Sequence, residues 1–555
     1  MASNARPQLR RTLLALAACG ALSGTTQAAT VVWNGIGMND QWMPTTLGPV
    51  VASNWLRNGI AAGPQNGDDL LFNSNVRTVS SNDYAALEVR SITFDGAAAN
   101  YTLGGNALRV TDSVAIHNDA PQHLGMRVTA SRSFRYFGGG GRSSLLFLDG
   151  GMDMDDGADS HMWSTVVDQG SDSLVIGKSA ASSLELSGLG TTVKAGTVIV
   201  GKSGGAAAGT SALKLDGLSD ALPEVTVSAT SRVVVGQNAP GRIDTSRGLL
   251  SSPFVTLGDG AGISGKAVLN GDGARWQVSD TLEVGRSGTG TLSLSGKAQI
   301  DTERAVLAAQ PTGTATVTLK DAGTRLSVAR DLYVGFQNVA TVSVLNGALL
   351  DATTAYLGWT PSSSATVRVA GGGAILRSTT ATVGADGNAT LTLETGGTGQ
   401  FGNLSIHDRG TVIVDGGRLE ATTVQMRGGT LRSAAGLDLD VVGNLQGHGV
   451  VDGPVQRGAA RTLTAEGGTL TLGDSHRGDG FTFDGALEVN GTTAVLLDAD
   501  AAGLGHTTTL RDFSLLQADN GLVLGAGRLL QSFGDTRVAG RLLNDGSVRS
   551  EGGQL

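Results

Sequence analysis

Residues Thr281–Gly296 read T-L-E-V-G-R-S-G-T-G-T-L-S-L-S-G. Leu282 and Val284 alternate with polar residues, a glycine-rich turn follows, and Leu292 and Leu294 alternate again before Gly296. Side chains two apart share one face of a strand, so each arm is a short strand with one apolar face. The glycines between the arms allow a sharp change of direction.

The stretch recurs. Its first arm, ending in an apolar residue and glycine, appears again at Ile176-Gly177, Val200-Gly201, Val235-Gly236, Leu257-Gly258, Val334-Gly335, Leu357-Gly358 and Val383-Gly384. Its second arm recurs as Leu184-Glu185-Leu186, Leu213-Lys214-Leu215, Val342-Ser343-Val344, Val367-Arg368-Val369 and Leu391-Thr392-Leu393. With one degenerate unit near Ala305–Ala308, the interval is roughly 26 residues, a period that marks a solenoid. Each unit holds short strands and no helical stretch, and cannot bury its apolar face alone. Successive units must stack as the coils of a single-stranded parallel β-helix, ~4.8 Å apart, with alternate side chains filling the interior. The expected fold is all-β, with roughly twenty coils and a length on the order of 90 Å.

Composition agrees with one elongated body plus caps rather than several globules. Of 555 residues 84 are glycine and only 11 proline, while aromatics make up 4%. A wide core of rings is therefore not expected, but a thin aliphatic shaft is. The net charge is −9 and no block of like charges occurs, so nucleic acid is not an expected partner.

The chain opens with Arg6, Arg10 and Arg11, an apolar run Leu13–Leu22, and the small-residue site Thr26-Gln27-Ala28. This is the order of a secretory signal over 1–28. A second reading takes Leu16-Ala17-Ala18-Cys19 as a lipobox, with Cys19 lipidated. Both predict export. Cys19 is the single cysteine, so neither a disulfide framework nor a thiolate metal site is expected.

Residues 29–75 hold Trp33, Trp42 and Trp55, half of the six tryptophans, and are expected to form an N-terminal cap closing the open end of the first coil. A carbohydrate-stacking platform is the alternative for these rings. Residues 76–170 are expected to hold the first coils and an irregular Gly/Asp-rich insertion. Within it Asp149, Asp153, Asp155, Asp156, Asp159 and His161 lie close in sequence. They lack the spacing of a helix-loop-helix calcium site and are expected on a solvated loop extruded from the solenoid. Residues 171–430 form the regular array and 431–555 a less regular continuation.

Motifs for chemistry are sparse. The seven histidines are scattered without ligand spacing, and the glycine-rich turns join strand to strand, without the helix a phosphate cradle requires. No catalytic residue, metal site or cofactor is expected. The alternative is a polysaccharide-acting lyase or glycosidase, whose carboxylates would pair across neighbouring coils. Arg477-Gly478-Asp479 is an integrin-type tripeptide in an expected loop, compatible with host-cell binding but weak in a chain so rich in these residues.

The opening Ala29-Thr30-Val31-Val32-Trp33-Asn34-Gly35, then Trp42, Asn54-Trp55 and Gly67-Asp68 to Phe72, resembles the mature start of autotransporter passengers and autotransporter-associated β-strand repeat proteins. The repeated arms and Gly447–Gly453 are similar to passenger repeats of that family. The resemblance implies a right-handed β-helix on the bacterial surface, outer membrane-associated or released, acting as an adhesin or carrier. Expected partners are a host-cell or glycan surface or other envelope components; the further alternative is an envelope or matrix scaffold that self-associates end to end through a poorly capped C-terminus. The family's transporter barrel would need about 250 further residues. Its lack predicts a separate or missing outer-membrane translocator.

Overall fold

The computed structural model describes residues 28–131, 135–138, 144–155, 158–163, 165–202, 209–217 and 225–553. Residues 1–27 of the expected secretory signal, Cys19 included, lie outside them. Strands make up 64% of the structure and helix 1%, stacked in parallel as a β-solenoid of about 19 turns.

In the regular array each turn contributes three faces. One is the second arm of the repeat, as in Thr289–Ser295, Thr314–Lys320 and Val339–Leu345. The other two share one long strand bent midway, as in Gln299–Leu307, Arg325–Val334 and Leu349–Leu357. Leu292, Val317, Val342, Val367 and Leu391 are successive register partners, 25, 25, 25 and 24 residues apart, slightly under the expected interval. Ile300, Leu326, Leu350 and Leu376 form a second inward stack on the next face. All are at most 1% exposed, so a continuous aliphatic column runs up the interior. Burying each such side chain contributes about 1.5–3 kcal/mol against the entropy of ordering the coil.

The turn glycines close the third face. Gly258, Gly285, Gly335 and Gly358 all have φ near +70°, where a β-carbon is strained. At Gly285 a methyl would also lie 2.0 Å from the Thr314 carbonyl of the next coil. The degenerate unit is informative here. Ala308 occupies the equivalent turn position with φ +58°, and the next two strands begin pairing at Ala315↔Ala340. Neighbouring coils begin one rung earlier, at Thr289↔Thr314 and Val339↔Ser364. The ladder opens by one rung beside this turn, where a methyl replaces the glycine hydrogen.

At the N-terminal end Thr30–Trp33 pairs in parallel with Asp69–Phe72 on one side. On its other side lies Trp55–Arg57, antiparallel, which halts parallel stacking. Trp33, Trp42 and Trp55 are each 0% exposed. Trp55 meets Trp33 edge-on at 5.0 Å and Trp42 at 5.3 Å. Rings this buried cover the column's end and leave no face for a sugar.

The expected extruded loop is corrected by the structure. Within 137–170, Ser144–Phe147, Met152–Asp155, Asp159–Trp163 and Thr165–Asp168 are strands paired in parallel with neighbouring coils. Met152 and Met154 point inward as the hydrophobic alternation requires. Asp153, although fully buried, is clamped by Arg127 Nε and Lys178 Nζ, each at 2.7 Å. These partners belong to the coils before and after its own. Asp156 and the glycines at 139–141 lie outside the described residues.

Candidate functional site

The long strands bend where each turn passes from the second face to the third. Along this bend lie Ala329, Thr353, Thr379, Gly402 and Thr422, all small, so the corner stays open as a groove parallel to the solenoid axis. Its volume is about 790 Å³. One coil earlier the corresponding residue is Glu303, whose ion pair with Arg330 (2.9 Å) ends the run of small side chains. At the other end stand Asp440 and Val441 of the one-turn helix Leu439–Val442, capped by the Asp438 carboxylate.

The wall of the groove is one outward ladder. Ser327, Asp351, Arg377, Gln400 and Glu420 are successive register partners. Asp351 accepts two hydrogen bonds from Arg377, at 3.0 and 2.9 Å, and a third from Arg325 at 3.3 Å. Arg377's hydrogen bonding, assisted by the charges of both guanidiniums, holds the Asp351 carboxyl below the usual carboxylate range despite partial burial. Glu420 pairs with Arg418 at 2.5 Å and accepts from the Gln400 amide at 3.0 Å. Ser378 at the bend is buried, and its hydroxyl has no hydrogen-bond partner.

The residues singled out in the sequence lie elsewhere. Arg477 donates to the carboxylate of Asp479 (3.1 Å) and to the Ala434 carbonyl (3.1 Å), while Gln456 donates to Asp479 at 3.3 Å. The two ends of the tripeptide therefore face each other instead of both being free for a partner. The aspartates at 149–161 also diverge. Asp149 meets His123 at 3.1 Å, Asp159 accepts from Ser183, and Asp153 is enclosed by its two cations. Among the described residues no three His, Cys, Asp or Glu groups are placed to hold a metal ion.

The groove escaped the sequence reading because its members lie a full coil apart. Only the register shows that Asp351, Arg377 and Gln400 stand side by side. A signal was present in the run of small residues at equivalent places in successive repeats.

No protein-family model, curated protein or solved structure matches the chain.

Proposed function

We propose that the protein is an exported β-solenoid passenger whose role is contact, structural or adhesive, made by its outer faces with the axial groove as the main contact surface. The observation that carries this reading is the uninterrupted parallel stack itself, which holds outward side chains at fixed spacing over about 19 turns. The basic and apolar leader supports export, and the surface of the bacterial cell or its surroundings is the destination.

Two features favour binding over hydrolysis. Asp351 is held ionised by two guanidiniums and is a poor proton donor at neutral pH. Glu420 stands three rungs away, roughly 14 Å at ~4.8 Å per coil, so Asp351 and Glu420 are too far apart for a glycosidic carboxylate pair at ~5–9.5 Å. The third acid of the groove, Asp440, lies one step beyond Glu420.

The test is to display the chain on a non-adherent bacterium and measure attachment to cells and matrix. Attachment above the empty strain, lost when Thr379→Trp fills the groove, is the expected result. Wild-type attachment by the filled variant would remove the groove as the contact surface. Release of reducing ends from a glycan panel would replace the reading with an enzyme.

A further inference from the structure

We propose that the groove takes a neutral, hydroxyl-rich polymer, a glycan strand lying parallel to the solenoid axis. This rests on the contact reading above and names the ligand class for the same surface. Shape comes first. The wall follows five register positions from Ser327 to Glu420 and continues to Asp440, giving about five steps of ~4.8 Å, roughly 24 Å in all. That is a trough for a chain of several rings rather than a pocket for one small molecule.

Charge selects next. The cations at the wall, Arg377 and Arg418 with Arg325 behind them, are paired with Asp351 and Glu420, and Asp440 stands at the groove's end. A polyanion would find each guanidinium already facing a carboxylate, and a polycation would find each of Asp351 and Glu420 already paired. A neutral polymer meets no such opposition.

Hydrogen bonding then separates a glycan from a peptide. An extended peptide binds a sheet through a free strand edge. Here Leu349–Leu357, Ala374–Val383 and Gly397–His407 are paired on both sides by neighbouring coils, so the groove offers side chains only. Those side chains suit hydroxyls, which both donate and accept. The Arg377–Asp351 pair places donors and acceptors side by side, and the Gln400 amide, which donates to Glu420, stands one rung along. The exposed hydroxyls of Thr379 and Thr422 line the bend. Polar side chains stand at every step of the wall, from Ser327 through Asp351, Arg377 and Gln400 to Glu420, so a polymer carrying hydroxyls along its length meets a partner at each coil.

The experiment titrates neutral oligosaccharides of graded length into the purified full chain by calorimetry. Polygalacturonate and a sulfated glycan serve as charged comparators. Three variants accompany the wild type: T379W, which fills the groove; R377A/Q400A, which strips its donors; and K297A, away from it. Thermal unfolding confirms that each folds, and the double variant stands in should T379W not. The expected result is length-dependent binding of a neutral glycan, weakened about tenfold or more in T379W and R377A/Q400A and unchanged in K297A. Failure of every neutral glycan to bind, preference for the anions, or binding retained by both groove variants would overturn the proposal. Should T379W abolish cell attachment while no neutral glycan binds, the ligand class falls and the contact reading stands.

Discussion

Asp153 is the residue whose environment departs most from its sequence neighbourhood. It stands in a run of aspartates, yet its carboxylate is 0% exposed and bonded to cations from two other coils. Burial pushes its acidity down, but the hydrogen bonds from Arg127 and Lys178 together outweigh that and hold the carboxyl below its ordinary value of 3.8. A carboxyl so shifted stabilises the fold fully above the unfolded value and ceases to do so as pH falls through the lower folded value. Asp153→Asn should therefore destabilise these coils at neutral pH by about 1–3 kcal/mol, discounted because both cations are partly solvated. The difference from wild type should shrink below pH ~4. Hydrogen exchange of residues 128–176 at two pH values checks both statements, and equal protection at neutral pH would refute the clamp. The tripeptide at 477–479 gives the opposite expectation. Because Arg477 and Asp479 engage each other at the surface, Asp479→Ala should leave attachment to integrin-bearing cells unchanged and stability within about 0.5 kcal/mol. A loss of attachment would mean that the loop opens to meet its partner.

At the scale of the coil, the turn glycines make a sharper test. Gly285→Ala adds a methyl in the left-handed region against the Thr314 carbonyl, and should cost about 2–4 kcal/mol. Ala308→Gly removes the same group from the equivalent turn, where the ladder has already opened. It should be neutral or stabilising by up to about 1 kcal/mol. Chemical denaturation of the two variants should move in opposite directions or, at the least, differ strongly in size. The coil was legible in the sequence because a strand repeats its facing every second residue, so Leu292, Leu294 and their counterparts declare the interior without reference to any neighbour. The bend was not, since it depends on where a continuous strand such as Arg325–Val334 turns a corner. Asp153 was misread for a related reason. Its alternation with Met152 and Met154 was the strand signal, and the density of aspartates around it outweighed that signal. The groove was least legible, for it exists only between coils.

In the whole molecule each coil touches little beyond its neighbours, so stability is a sum of local terms and interfaces rather than one cooperative quantity. The N-terminal cap is where this can be tested. Trp55 sits between Trp33, Trp42 and Phe72, all within 5.3 Å of its ring, and its indole nitrogen is buried with no hydrogen-bond partner. Its contribution is thus packing alone. Trp55→Ala should open a cavity costing about 3–5 kcal/mol, whereas Trp55→Phe, which keeps a ring and removes the unsatisfied nitrogen, should cost markedly less. Because the loss enters at one end of a stack, hydrogen exchange in Trp55→Ala should accelerate through Thr30–Trp33, Asp69–Phe72 and Leu87–Phe94. Protection at Thr314–Lys320 and Val339–Leu345 should remain at the wild-type level. A uniform loss of protection along the chain would show that the solenoid opens as one unit. The groove would then depend on the distant cap, and glycan binding would weaken in Trp55→Ala even though no groove residue had changed.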